Sequence, residues 1–283
     1  MRRLAILLPA AWLLATVLAP LVILATIATA TPSDGVPPYA PLLDWSGGGL
    51  PRVTASADAW QLLVADGYYL RALLFSLRIA AISALGCLLV GYPLALAITR
   101  APAGWRAPLL LLALLPFWTG FLLRINAWIG LLKEDGWVSA ALHAAGLLPP
   151  GRALLYTDAA MYLGIIHAYL PFAVLPIYAR LSRLDPALAE AAADLGATPL
   201  RSFLTVTLPL SMPGVWAGLA LVFIPAVGEY VIPELLGGPQ AQTIGRVIWQ
   251  EFFANRDWPQ ASAVALVLVA LLVLPAALVQ RAR

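Results

Sequence analysis

The side chain best placed to do chemistry is Glu229, a carboxylate inside the apolar run PAVGEYVIP. An ionised group within a hydrophobic span is costly, so it faces the interior and marks a functional position by default. Tyr230 adjoins it, and Pro225, Gly228 and Pro233 disturb any helix around it. Carboxylate charge combined with aromatic faces suits a di- or polyammonium ion, each cation–π contact being worth about 0.5–2 kcal/mol. A second group lies in LPFWTGFLLRINAWIGLL, Leu115 to Leu132, which holds Phe117, Trp118, Arg124, Asn126 and Trp128. Trp118, Asn126 and Trp128 read either as liners of a pathway or as packing and lipid-facing residues. Glu229 reads either as a cation ligand or as the ion-pair partner of Arg124, and one protein can use both arrangements in different states.

Other chemistries are excluded by residue type. His143 and His167 are far apart and lack metal-ligand spacing, so no metal site is expected, and no nucleophile–base arrangement suggests a catalytic constellation. The lone Cys87, set in an apolar run, leaves no internal disulfide to form. Net charge is only +3, with no basic cluster interleaved with aromatics, which argues against nucleic-acid binding. A phosphate loop of the form G-x-x-x-x-G-K-[ST] needs a lysine, and the only lysine, Lys133, is followed by Glu134. Nothing in the chain can hydrolyse ATP unaided.

The elements that must position these residues are membrane spans. Hydrophobic residues make up 62% of the chain and charged ones 11%, against roughly half and a quarter in soluble domains. The 10 Trp and 9 Tyr fit interfacial belts and an aromatic-lined interior. A crossing helix needs about 20 mostly apolar residues. Six stretches qualify: Leu4 to Ala30, Leu73 to Thr99, Pro108 to Leu132, Ala159 to Ala179, Val215 to Ile232, and Gln260 to Val279. The first is about twice the 7–15 residues of a signal-peptide apolar core and reads as an uncleaved span. The fifth, the shortest and the most interrupted by glycine and proline, is expected to be kinked or broken, with Glu229 late in it.

Arginines in the connections set the orientation. With a cytoplasmic N-terminus the inner segments hold Arg2, Arg3, Arg100, Arg106, Arg180, Arg183, Arg201, Arg281 and Arg283, and the outer ones are acidic, with Asp34, Asp44, Asp58, Asp66, Glu134, Asp135 and Asp257. Both termini are thus expected inside. The Pro/Gly-rich TPSDGVPPYAPLLDWSGGG is expected to be an outer loop without regular structure, followed by a short surface helix capped by Ser56, while DGWVSAALHAAGLLP predicts another. Arg78 is expected to snorkel to the outer interface. Glu234 and Glu251 either receive a ligand at the outer end or are solvated surface.

The inner connection EAAADLGATPLRSFLTVTLP, Glu190 to Pro209, is punctuated unlike an ordinary loop. Asp185 followed by Pro186 is a helix N-cap with proline at the first helical position, and Gly196 is a natural stop. Leu184, Leu188, Ala191, Ala192 and Leu195 fall on one face. Thr198 and Pro199 repeat the start signal, and Pro209 is expected to end the second helix. Ordinary connections run about 2–8 residues, so the length and the small-residue face suggest a docking element, the plainer reading being a loop folded against the bilayer.

Glu190-Ala191-Ala192, Gly196 and Val206-Thr207-Leu208-Pro209 together resemble the EAA signature of bacterial ABC-importer membrane subunits, with valine at 206 where that family usually has isoleucine. Ala226 to Ala265 and Leu115 to Leu132 resemble the polyamine branch, of the putrescine-transporter type. The resemblance covers most of the chain from about Tyr68 onward and is weak in the first span and the outer loop.

The resemblance implies an all-α integral membrane fold with six transmembrane helices, that of a type I ABC importer permease (MetI-like). Residues 1–72 would be the first span and outer loop, and residues 73–283 the five-helix core with cytoplasmic coupling helices at 185–209. Glu190, Ala191, Ala192, Asp194, Gly196 and Pro209 would be contact and bend positions against an ATPase. Glu229, Tyr230, Trp118, Asn126, Trp128 and Arg124 are the candidate substrate pathway. The implied partners are a second homologous permease subunit, a cytoplasmic ATPase dimer that binds the ATP and Mg, an extracytoplasmic polyamine-binding protein, and the lipid bilayer of the inner membrane. No cofactor is expected in this chain. The alternatives are the same role for ferric iron, an opine or another small solute, and a secondary transporter, which predicts inverted repeats that are not found.

Overall fold

In hydrocarbon each backbone N–H must find its partner within its own segment, so an apolar chain of this kind winds into helices. The computed structural model describes residues 2–44, 52–149 and 151–281; residues 45–51 of the Pro/Gly-rich stretch and Arg283 lie outside them. The elements run α1 (Arg2–Ala28), β1 (Leu43–Asp44), β2 (Arg52–Val53), α2 (Asp58–Ala65), α3 (Gly67–Arg100), α4 (Ala103–Trp118), α5 (Phe121–Leu132), α6 (Trp137–Ala144) and α7 (Asp158–Leu181). There follow α8 (Pro186–Asp194), α9 (Pro199–Ser202), a π-helical turn (Phe203–Thr207), α10 (Leu208–Val227), α11 (Val231–Leu236), α12 (Ile244–Trp249), a second π-helical turn (Gln250–Ala254) and α13 (Trp258–Arg281). Strands β1 and β2 form a two-residue antiparallel pair, and the other elements of the described residues are helical.

Among the described residues four helical stretches are long and apolar enough to cross a membrane: Leu7–Ala28, Gly67–Arg100, Asp158–Leu181 and Pro199–Val227. The expected third span is not continuous. Ala103–Trp118 and Phe121–Ala144 meet at an 88° bend. Pro116 lies in the last turn of α4, and Thr119 and Gly120 are extended, with ψ of 143° and 138°, which ends one helix and starts the next. Trp258–Val273 supplies the described apolar part of α13.

The chain divides into two compact units, one of Met1–Phe75 with Thr243–Arg283, the other of Ser76–Gln242. In the first unit α1 and α2 pack on α13, and Ala28, Ala59 and Ala263 meet where these helices come closest. Along α1, Leu7, Leu8, Trp12, Leu13, Leu14 and Val17 are exposed, a surface suited to lipid rather than water.

In the second unit α7 and α10 form the central pair. A Cβ at Gly214 would lie 2.7 Å from the Pro176 carbonyl oxygen and 2.8 Å from Arg180 Cβ, so glycine is what lets the helices touch. Tyr92, Ala95 and Ile98 of α3 fill one side of this pair against Val174, Ile177, Leu181 and Val215. The Tyr92 hydroxyl meets Ser211 Oγ at 2.8 Å in the same core, satisfying both groups.

Two local expectations, at Ser56 and Pro209, need correction. Ser56 Oγ accepts from Asp58 N at 3.0 Å, but α2 starts after Ala57, so the serine sits one position before the cap. Arg78 is half exposed, and its guanidinium lies 3.8 Å from Asp158 at the start of α7. Pro209 does not end a helix. It falls in the first turn of α10 directly after the π-helical turn, whose wider ring removes the clash a proline ring makes with the carbonyl four residues back.

Candidate functional site

Glu229 lies in a break rather than within a span. Helix α10 stops at Val227, Gly228 caps it, and α11 starts only at Val231. Proline and glycine make the interruption affordable, and the freed backbone groups need new partners. The carboxylate provides them: Glu229 Oε1 accepts from Val231 N at 3.0 Å and Ile232 N at 3.3 Å, so it holds the N-terminus of α11. On the other side the Tyr169 hydroxyl of α7 donates to Oε2 at 2.5 Å. The residue as a whole is 9% exposed.

Aromatic rings continue outward from Tyr169. Its ring lies 6.0 Å from Phe172, Phe172 meets Phe117 edge-on at 5.0 Å, and the Arg124 guanidinium stands over Phe117 at 5.7 Å and Phe121 at 5.8 Å. Arg124 is therefore not the ion-pair partner of Glu229. Its Nε and Nη1 are buried with no hydrogen-bond partner among the described residues, and ring faces take that place.

The remaining predicted residues scatter. Trp118 is 84% exposed at the end of α4. Asn126 is exposed and its amide donates back to Leu122 O at 2.9 Å. Trp128 packs edge-on against His167 at 5.4 Å. Tyr230 is half-buried beside Glu229. Glu251 is not bare surface, for Tyr69 and Asn255 donate to it at 3.0 and 2.8 Å. The residue that sequence reasoning missed is Tyr169. Its signal was a phenol in the middle of an apolar span, a group that needs a polar partner when buried.

The inner connection is built as its punctuation dictates. Asp185 Oδ1 accepts from Ala187 N at 3.0 Å, Pro186 opens α8, and Gly196 closes it with φ of +82°, a conformation that favours glycine. Gly196 N and Ala197 N return to the carbonyls of Ala193 and Ala192 at 2.8 and 3.0 Å. Thr198 Oγ1 then caps α9 through Arg201 N at 3.4 Å. Glu190, Ala191, Asp194 and Gly196 are exposed, Ala192 is half-buried, Pro209 is exposed, and no residue of α8 is buried. Behind α8 lies a cleft of about 330 Å3 bordered by Arg100, Arg106, Ser182, Leu188 and Val206.

Comparison with known proteins shows what frame this is. Residues 90–282 match the family described as binding-protein-dependent transport system inner membrane component. The chain is 38% identical over 203 residues to the spermidine/putrescine transport system permease protein PotB of Escherichia coli K12, covering 72% of this chain and 74% of the relative. It is 40% identical over 199 residues to PotB of Haemophilus influenzae, 70% of each chain, and 34% identical over 208 residues to the molybdenum transport system permease protein ModB of Mycobacterium bovis, 74% of this chain and 76% of that one. A bacterial ABC transporter that imports the acidic polysaccharide alginate has the same fold, with a TM-score of 0.67 at 20% identity over 98% of this chain and 94% of its own. Two helices joined at Gly196, an interrupted span at Glu229 and a sequence match over most of the chain agree on one assignment: the protein belongs to the inner membrane components of binding-protein-dependent transport systems, and is a transport subunit rather than an enzyme.

Proposed function

We propose that the protein is the membrane-spanning permease of an ATP-driven importer of polyamines, putrescine or spermidine. The observation that carries the cargo is Glu229, a carboxylate buried where a span breaks, backed by a phenol and flanked by aromatic rings, in a chain 38–40% identical to spermidine/putrescine permeases. Buried negative charge lowers the barrier to an ammonium group and raises it for an oxyanion. In this reading Glu229, Tyr230, Trp118, Asn126 and Trp128 border the pathway and Arg124 stands beside it, its charge spread over Phe117 and Phe121.

Work is done by partners. A cytoplasmic ATPase dimer binds ATP and Mg and engages Glu190, Ala191, Ala192, Asp194, Gly196 and Pro209 within the coupling helices at 185–209. A second, homologous permease subunit completes a heterodimer around the pathway, and an extracytoplasmic polyamine-binding protein delivers the cargo. Both termini are cytoplasmic, residues 1–72 form the first span and outer loop, and residues 73–283 form the core. No cofactor resides in this chain.

Reconstitution tests the cargo. Proteoliposomes holding this chain, its neighbouring permease, the ATPase and the binding protein are expected to accumulate radiolabelled putrescine or spermidine only with ATP. Uptake of molybdate, iron or another solute in place of either polyamine would refute the proposal.

A further inference from the structure

Arg100 ends α3 and Arg106 lies in the first turn of α4, so the short corner between these helices carries two guanidinium groups. Both residues line the cleft behind α8, and both are exposed. Arg106 Nε donates to Ala101 O at 2.9 Å, while neither arginine pairs with a carboxylate among the described residues. A carboxylate is at hand, for Asp185 borders the same cleft. Its Oδ1 instead accepts from Ala187 N at 3.0 Å and is held at the start of α8. Two arginines against one aspartate leave the wall net positive and open to a further anion.

The depth of the cleft follows from the elements that build it. Leu96 of α3, Leu181 of α7 and Leu210 of α10 form part of its wall, at the same end of three helical stretches long enough to cross a membrane. Trp105, beside Arg106, is 63% exposed, and tryptophan concentrates at headgroup level. We propose that this cleft holds the phosphate of an anionic phospholipid of the inner leaflet. The guanidinium groups donate to phosphate oxygens, and the leucines meet the glycerol end of the acyl chains. A basic pocket between spans on the cytoplasmic side suits such a headgroup, whereas an acidic side chain of a soluble partner gains nothing from the leucine wall. The inference goes beyond the transport role and rests on the orientation proposed above. A lipid bound here ties the α3–α4 corner to α8 from behind the face offered to the ATPase.

The test counts lipids retained by the purified complete transporter in native mass spectrometry, at graded phosphatidylglycerol or phosphatidylcholine. The parent is expected to prefer phosphatidylglycerol. Arg100→Gln and Arg106→Gln are each expected to weaken its binding about fivefold, the size of one basic residue at an anionic surface. Arg201→Gln, on the same side but outside the cleft, is expected to leave it unchanged. An equal loss in Arg201→Gln makes the attraction diffuse and overturns the site, as does a parent that binds both lipids alike. Inorganic phosphate that displaces phosphatidylglycerol from the parent but not from Arg100→Gln assigns the cleft to a soluble anion and overturns the lipid. Unaltered lipid binding by Arg100→Gln, together with loss of the ATPase from the complex, gives the cleft to an acidic group of that partner and overturns the proposal. Should Arg106→Gln fail to assemble for want of its bond to Ala101, Arg100→Gln decides. A reversed orientation would show separately, as lipid binding that survives while the cleft lies on the outer face.

Discussion

At the scale of single residues, Glu229 does two things at once. It anchors α11 through two backbone amides and presents its other oxygen to Tyr169. Glu229→Gln keeps an oxygen for one role but removes the charge, so polyamine uptake is expected to fall at least tenfold while the purified complex stays assembled; normal transport would remove Glu229 from the pathway. Tyr169→Phe deletes one hydrogen bond to a buried carboxylate and is expected to cost about 1–2 kcal/mol in thermal unfolding, with a smaller loss of uptake than Glu229→Gln. The carboxylate was legible in the sequence because residue type alone makes it expensive in a membrane. Its partner was not, because choosing Tyr169 over Arg124 depends on which faces of α5, α7 and α11 meet, and apolar runs without polar stripes conceal that.

At the scale of elements, punctuation was read well where a cap states its own geometry. Asp185, Pro186, Gly196, Thr198 and Pro199 fix α8 and α9 by local hydrogen bonds that need no tertiary context. It was misread at Pro209 and the bend beside Pro116 was not anticipated, because proline's effect depends on the turn it enters: Pro116 sits at an 88° break and Pro209 is absorbed by a π-helical turn. Gly196→Pro is expected to abolish ATP-driven uptake, either by uncoupling hydrolysis or by preventing ATPase docking, and normal rates in both assays would deny it a coupling role. Gly214→Val places side-chain atoms where the Pro176 carbonyl and Arg180 lie, so detergent-solubilised complex is expected to be lost on size-exclusion chromatography.

At the scale of the whole molecule, the orientation drawn from arginine distribution can be read out with a single reporter. Cys87 is buried and hydrogen-bonds to Ile166 O at 3.4 Å, so it is a silent background for labelling. A Leu195→Cys reporter, at a position 89% exposed beside Gly196, is expected to react with a membrane-impermeant maleimide in inside-out vesicles and to be shielded once the ATPase is added. Reaction from the outer face would reverse the topology. The rough placement of the apolar helices was legible from hydropathy, since roughly 20 apolar residues must be hidden from water in any fold, but of the six spans expected the described residues show four continuous ones, one bent pair and one shorter apolar helix. What hydropathy does not encode is which of those residues meet protein and which meet lipid, as the exposed apolar length of α1 illustrates.

The π-helical turn at Phe203–Thr207 has a mechanical meaning beyond accommodating Pro209. It joins α9 to α10 without a break and stores one residue of slack relative to an α-helical turn. Rewinding that turn as α-helix would rotate everything on its α9 side by about 100° and draw it about 1.5 Å along the axis relative to α10. Were that turn to rewind, it would act as a screw thread, with thrust on the exposed loop appearing as torque on the helix that runs toward Glu229.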